Sequence, residues 1–134
     1  MPGKKYVIVK CDVKDKSLKG VKFDGVVRAA HDAITNAINN KSSGKLTTKD
    51  KSPDGFIMTA SVSTLKGDNN VKPTKLETKV MATVITIGSK AKAFTGNAGG
   101  NTSGVGDVQS SAEDLVSSVF ESFMKKVIST MLSF

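Results

Sequence analysis

The chain has 134 residues, a length that fits one domain with a single modest core. Its 20 basic and 12 acidic residues give a net charge of +8, and Arg28 is the one arginine. The single cysteine, Cys11, and the single histidine, His31, exclude an internal disulfide framework and a multi-cysteine zinc site, so we expect no metal and no cofactor.

The first residues bear on where the protein resides. They contain lysines but no apolar signal-peptide region, and no stretch of the chain approaches the roughly 20 apolar residues of a membrane helix. We therefore expect no transmembrane segment. We expect a cytoplasmic protein unless a signal peptide has been removed, in which case it is periplasmic or secreted.

The first two predicted elements are a strand and a helix. Residues 5–13 (KYVIVKCDV) predict an internal strand, because apolar residues occur on both of its faces at the start. Asp24 then predicts the N-cap of a helix over residues 25–39. Spacings of three and four residues predict one apolar stripe on this helix, made of Val27, Ala30, Ile34, Ala37 and Ile38. We expect His31, at the border of the stripe, to be partly packed rather than catalytic.

The middle of the chain predicts an antiparallel sheet. Residues 44–50 predict a short extra strand, and the turn signal GDNN joins two longer strands. In the first strand the predicted inward positions are Phe56, Met58, Ala60 and Val62. In the second, one side carries Val80, Ala82 and Val84 and the other carries Met81, Thr83, Ile85 and Ile87. Serine and threonine at the outward positions predict one wet face and one covered face.

The stretch GNAGGNTSGVGDVQSSAED, residues 96–114, raises the question of a phosphate-binding loop. Such a loop needs Gly-Lys-Ser/Thr at the start of the next helix, whereas Asp107 follows the last glycine here. The spacing does not match G-x-G-x-x-G either. We therefore predict a flexible glycine-rich loop at about residues 96–108, with Asp107 near a helix cap.

The strongest helix prediction is the last one. Ser110 and Glu113 fit a capping box, and apolar residues keep helical period from Leu115 to Leu132. The apolar face is wide, and Phe134 follows it. We expect this face to cover the sheet; the alternative is a surface for a homodimer or for another protein partner.

The lysines suggest two opposite interpretations. Seven of them lie within the first 22 residues, where they either keep strand edges soluble or attract polyanions without sequence preference. Nucleic-acid recognition is the less favoured of the two, because the chain has one arginine, one tyrosine and no tryptophan. The predicted contact surface consists of Lys4, Lys5, Lys14, Lys16, Lys19, Lys22 and Phe134.

No motif for catalysis is present. The chain has no G-x-S-x-G and no H-E-x-x-H, and its carboxylates lie mostly in predicted turns and at predicted caps. We predict no catalytic residue, no metal ligand and no enzyme. A Cys11–His31 hydrolase or transferase is the remaining catalytic alternative.

Four segments resemble the small α+β domains of bacterial envelope proteins, such as the amino-terminal domain of TolB and the LpoB-type activators of penicillin-binding proteins. They are YVIVKCDV, DGVVRAAHDAITNAI, KVMATVITIGSKAKAFTG and SSAEDLVSSVFESFMKKVISTM, which cover about half the chain. The resemblance implies an exported, non-catalytic protein that acts by contact with other envelope proteins, and it assigns no functional residue.

These observations together predict one α+β domain over residues 1–134. We expect an antiparallel sheet of three to five strands with two helices packed on one face, in the order β-α-β-β-α with one extra short strand. The predicted function is a non-enzymatic binding or structural module, bacterial and either of the envelope or secreted, that works by protein–protein contact. The alternative is lysine-driven, sequence-nonspecific binding of nucleic acid or another polyanion.

Overall fold

The computed structural model describes residues 5–49, 51–69 and 72–134, which form a five-stranded mixed sheet and two helices. In chain order the elements are β1 (Lys5–Val13), α1 (Phe23–Asn40), β2 (Leu46–Thr47), β3 (Gly55–Gly67), β4 (Lys75–Thr86), β5 (Lys92–Ser103) and α2 (Val108–Ser133). The predicted α+β class is confirmed, as is the short extra strand, which is β2.

The strand order across the sheet is β2-β1-β3-β4-β5. β3, β4 and β5 are antiparallel neighbours as predicted, but β1 is parallel to both β2 and β3. The antiparallel prediction is therefore wrong for β1. The reason is that α1 carries the chain back to the end of the sheet where β1 began. β2 and, after a short connection, β3 therefore run in the direction of β1.

Both helices pack on the same face of the sheet and against each other, α1 over β1 and β2 and α2 over β4 and β5. The alternation predicted for the two long strands is confirmed: the four inward residues of β3 are buried, and the buried side of β4 is the one with Val80, Ala82 and Val84. The opposite face of the sheet, here called the open face, is covered by no helix in the described part of the chain.

The predicted N-cap of α1 is wrong. The helix begins at Phe23, and Lys22, not Asp24, holds the cap position without a side-chain cap bond. Gln109 of α2 instead fixes the backbone at the cap position: its Nε2 donates to the Lys22 carbonyl at 3.1 Å, and its Oε1 accepts from the Lys22 N–H at 2.7 Å. The buried stripe also includes Val26 in place of the predicted Val27, which is only half-buried.

The start of α2 lies three residues before the predicted capping box. Asp107 is the N-cap, and its Oδ2 accepts hydrogen bonds from the Ser110 N–H at 3.1 Å and the Ser110 hydroxyl at 2.6 Å. The expectation that Asp107 caps a helix is confirmed, whereas Ser110 is its partner and not the cap. The apolar face of α2 is taken up by the core; Leu132 and Phe134 remain 40% and 55% exposed.

The flexible loop predicted over residues 96–108 is wrong for most of its length, because residues 96–103 continue β5. Its glycines let α2 approach the sheet. A Cβ added at Gly100 would lie 2.8 Å from Val119 Cγ2 and 3.7 Å from Leu115 Cδ1. Only residues 104–107 connect β5 to α2. The expectation of a single domain over residues 1–134 stays a prediction.

Candidate contact surfaces

The predicted contact residues do not form one surface. Lys4 lies outside the described residues. Lys5 and Phe134 meet at the end of the sheet where β1 begins, and both contact the buried ring of Phe56. The Lys5 Nζ lies 5.6 Å from the Phe56 ring centroid, and the Phe134 ring packs edge-on with a centroid distance of 6.1 Å.

The other four predicted lysines lie at the far end of β1. Lys14, Lys16, Lys19 and Lys22 are exposed in or beside the connection from β1 to α1. At about 3.3 Å per residue, β1 separates them from Lys5 by about 30 Å. The predicted surface is therefore divided between two ends of the molecule.

The far end gathers lysines from a second connection. The β3–β4 turn lies at the same end, because β1 and β3 run parallel, and it contributes exposed lysines of its own. We call this surface the basic end, and it consists of Lys14, Lys16, Lys19, Lys22, Lys66, Lys72 and Lys75.

Two carboxylates hold the connections of the basic end in place. Asp15 accepts hydrogen bonds from the Ser17 hydroxyl and N–H and, across the sheet, from the Leu65 N–H at 3.2 Å. Asp68 accepts from the Thr74 hydroxyl at 2.7 Å and the Thr74 N–H at 2.8 Å. The hydrogen bonds from Ser17 and from Thr74 hold the pKa values of Asp15 and Asp68, respectively, below the usual aspartate range. Both groups stay ionised and lower the net positive charge of this end.

The open face carries an apolar cluster that the sequence analysis did not predict. Ile8, Ile57 and Ile85 are neighbours in register across β1, β3 and β4. Tyr6 and Ile87 lie in the next row, toward the start of β1, on either side of Gly55. The cluster consists of Tyr6, Ile8, Ile57, Ile85 and Ile87. All five are only half-buried. The signal was present in the sequence, since isoleucine recurs at outward positions of three strands.

The remainder of the open face is polar and basic except for Met81 of β4, which is 47% exposed. The next row in register is Lys10, Thr59, Thr83 and Thr95, with 3.3 Å between the hydroxyls of Thr83 and Thr95. Lysines border the apolar cluster and the threonine row, namely Lys10, Lys79 and Lys92. In the ranges 5–49, 51–69 and 72–134 none of these three forms an ion pair, whereas the acidic groups of this face do, Asp12 with Lys14 and Glu77 with Lys66.

The catalytic alternative receives no support from the thiol. Cys11 faces the helices from β1, and burial together with the smaller effect of the Asp12 charge raises the pKa of its thiol to about 12. A thiol with this pKa is protonated near neutral pH and is a poor nucleophile. His31 is half-buried on α1. In the described ranges, no three residues among His, Cys, Asp and Glu are grouped so that they could hold a metal ion.

Comparison with known proteins shows similarity at the level of the fold. No protein-family model matches the chain, and no curated protein sequence matches it. A hypothetical protein from Chlamydia trachomatis has a similar structure, with a TM-score of 0.64 at 11% identity over 98% of this chain and 100% of that one. A Xanthomonas campestris protein of the DUF330 family model matches with a TM-score of 0.63 at 8% identity, over 98% of this chain and 85% of that one.

The third similar structure is an assembly. The PelC dodecamer from Paraburkholderia phytofirmans matches with a TM-score of 0.57 at 11% identity, over 89% of this chain and 86% of that one. The chain thus has a fold that small bacterial proteins also adopt. Neither α1 nor α2 is long and apolar enough to cross a membrane, and the same holds throughout the part of the chain that the structure describes.

Proposed function

We propose that the chain is a non-enzymatic module of the bacterial envelope, periplasmic or secreted, that acts by binding another protein through its open face. The observation that carries this proposal is the apolar cluster around Ile57. A sheet face that only meets water is normally polar at its outward positions, whereas three adjacent isoleucines here leave apolar area in contact with solvent.

The charges around the cluster determine the chemistry of the partner. Lys10, Lys79 and Lys92 border the open face without an ion-pair partner in the described ranges, whereas its acidic groups are matched by Lys14 and Lys66. A partner that fits this surface presents an apolar centre with acidic side chains around it. The envelope location is part of the same proposal, and it rests on the resemblance to TolB and LpoB-type domains.

The test is capture of a partner from a lysate of the source cells by the immobilised protein, at 0.1 M salt and at about 0.5 M salt. The decisive variant is Ile57→Thr/Ile85→Thr, which keeps two β-branched residues in the strands but removes apolar area from the open face. We expect a protein to be captured at both salt concentrations by the native chain and to be lost with this variant. Circular dichroism and thermal unfolding check that the variant is folded.

Lys16→Gln/Lys19→Gln/Lys72→Gln is the matched control, because these lysines belong to the basic end and none of them pairs with an acidic group of the open face. Capture that survives the isoleucine substitutions, or that is lost with the lysine substitutions alone, contradicts binding through the open face.

A specific observation favours a second function, the binding of polyanions. Seven lysines from two connections gather at the basic end, where they can neutralise several phosphates at once. Fluorescence anisotropy with a labelled single-stranded oligonucleotide tests it. Affinity that falls steeply and linearly on a log–log plot against salt, and that is lost in the triple lysine variant, supports this function. Affinity unchanged in that variant contradicts it.

A further inference from the structure

β5 is the edge strand of the sheet, and its outer side is unpaired within the described ranges. It has 12 residues, so it presents a long row of backbone N–H and C=O groups that make no hydrogen bond to another strand on that side. Such an edge can accept a further strand by continuing the hydrogen-bonding pattern of the sheet.

Apart from Lys92 and a register irregularity beside it at the start of β5, the edge lacks the features that normally prevent this pairing. Natural edge strands are blocked by charged side chains, by proline or by being short. From Ala93 to Gly106 the chain has no charged residue and no proline, although 24% of all its residues are charged. α2 packs on the face of β5 and its contacts there include Gly100, so the helix lies over the strand rather than along its outer edge.

The other edge of the sheet differs in this respect. β2 pairs with β1 only at Lys5 and Tyr6, which leaves the outer side of residues 7–13 unpaired in the described structure. Lys10 and Asp12 lie on this stretch, and the lysines of the basic end follow directly after it. A second positively charged chain would meet like charges there, whereas β5 carries a charge only at its first residue, Lys92.

We infer that two copies of this chain pair through their β5 strands, antiparallel about a two-fold axis, into one continuous ten-stranded sheet. The inference goes beyond the proposed envelope contact and does not require it. A chain with a net charge of +8 repels its own copy over most of its surface, and the uncharged stretch of β5 from Ala93 to Ser103 is where two copies approach with less of that cost.

The side chains of β5 define the register of this pairing. Residues opposite each other in an antiparallel pair share a face. The two-fold axis must therefore pass between the two copies of one and the same residue. A register centred on Gly99 places Asn97 of each copy opposite Asn101 of the other, both on the open face. Both side chains are exposed, and their amides can donate to and accept from each other.

The test uses two double variants that differ at one position. Asn97→Lys/Asn101→Lys places lysines opposite lysines across the two-fold axis, while Asn97→Glu/Asn101→Lys places glutamates opposite lysines. In both variants the new lysine at position 101 lies opposite Glu77 of the same chain, where it is tolerated. Thr59→Lys adds a charge to the open face on the central strand β3 and is the control.

The mass of each protein is measured by analytical ultracentrifugation from about 1 μM to 1 mM at 0.05 M salt, with circular dichroism as the check on folding. We expect the native chain and Thr59→Lys to reach twice the monomer mass of 14.1 kDa. We expect a dissociation constant roughly ten-fold higher for the double lysine variant and at or below the native value for the glutamate–lysine variant.

Three results would overturn the inference. The first is a native chain that stays monomeric throughout or forms an assembly other than a dimer. The second is a double lysine variant as dimeric as the native chain, and the third is equal weakening by both double variants. A monomeric chain that still captures a partner through Ile57 would leave the proposed function intact, so the two ideas fail separately.

Discussion

The packing of α2 against the glycines of β5 predicts that one substitution in β5 is partly compensated by a second substitution in α2. In Gly100→Ala the new Cβ lies 2.8 Å from Val119 Cγ2, which is closer than such carbons approach. Val119 is β-branched and lies in a helix, where its χ1 is restricted, so the methyl group cannot rotate away. We expect Gly100→Ala to lower the free energy of unfolding by about 1–2 kcal/mol through overpacking.

The stability cost of substituting Val119 follows from the same contact. Val119→Ala removes two buried methyl groups and leaves a cavity, which costs about 2 kcal/mol. In the double variant the Cβ at position 100 occupies part of the space that the methyl group vacates. We therefore expect a total loss of about 2 kcal/mol in place of the additive 3–4 kcal/mol.

Urea unfolding of the four proteins measures this coupling, and a midpoint temperature shift of about 4 °C per kcal/mol provides a second readout. Gly106→Ala is the control from the same glycine-rich stretch, because a Cβ there meets no atom within 4 Å. We expect it to be neutral or stabilising by up to about 1 kcal/mol. Equal effects of Gly100→Ala and Gly106→Ala, or strict additivity with Val119→Ala, would refute the packing of α2 on this part of β5.

Three further results follow from the structure. Gln109→Ala removes both hydrogen bonds to the Lys22 backbone, so we expect urea unfolding to show a loss of about 1–2 kcal/mol; an unchanged midpoint would contradict the cap. Because the hydrogen bonds from Thr74 lower the pKa of Asp68, the contribution of Asp68 to stability is present above about pH 4 and is lost as the pH falls through the lowered value. Asp68→Asn should flatten this part of the acid unfolding curve, and an unaltered curve would contradict a stabilising role of Asp68. Cys11, with a pKa raised to about 12, should react with iodoacetamide at pH 8 only as fast as the chain unfolds; reaction at the rate of a free thiol would revive the catalytic alternative.

The long strands of the middle region were predictable because their side chains alternate with the period of the sheet. Met58 and Val84 are inward residues in both the sequence pattern and the structure, since burial on one face imposes period two on the strand. The parallel position of β1 was not predictable in the same way. It depends on how α1 returns the chain across the sheet, and the alternation within β1 is the same for either direction.

The errors at the helix starts and in β5 have a common physical origin. Local propensity favoured Asp24 as a cap, but the cap position is Lys22, whose backbone is held by Gln109, 87 residues after it, and no local pattern contains that contact. Glycine is a loop residue by propensity, yet Gly100 lies in a strand because a helix packs directly over it. The period-two arrangement of Gly96, Ala98 and Gly100 was the available signal. It was hidden because asparagine and glycine fill the alternate positions as well.

The edge of β5 and the open face have a joint consequence. A two-fold axis perpendicular to the sheet keeps both open faces on the same side, so the dimer presents two apolar clusters to one partner surface. In the register centred on Gly99, Ile85 pairs with Lys92 of the same chain, seven residues from the axis, so the two clusters lie about 50 Å apart near opposite ends of the dimer. A partner with repeated acidic–apolar sites would therefore bind the dimer more tightly than two isolated copies, through effective concentration alone. Breaking the β5 pairing should then weaken capture of such a partner while the affinity of each Ile57 surface stays the same. Loss of affinity at a single site on dissociation would mean that the second copy contributes directly to the binding surface.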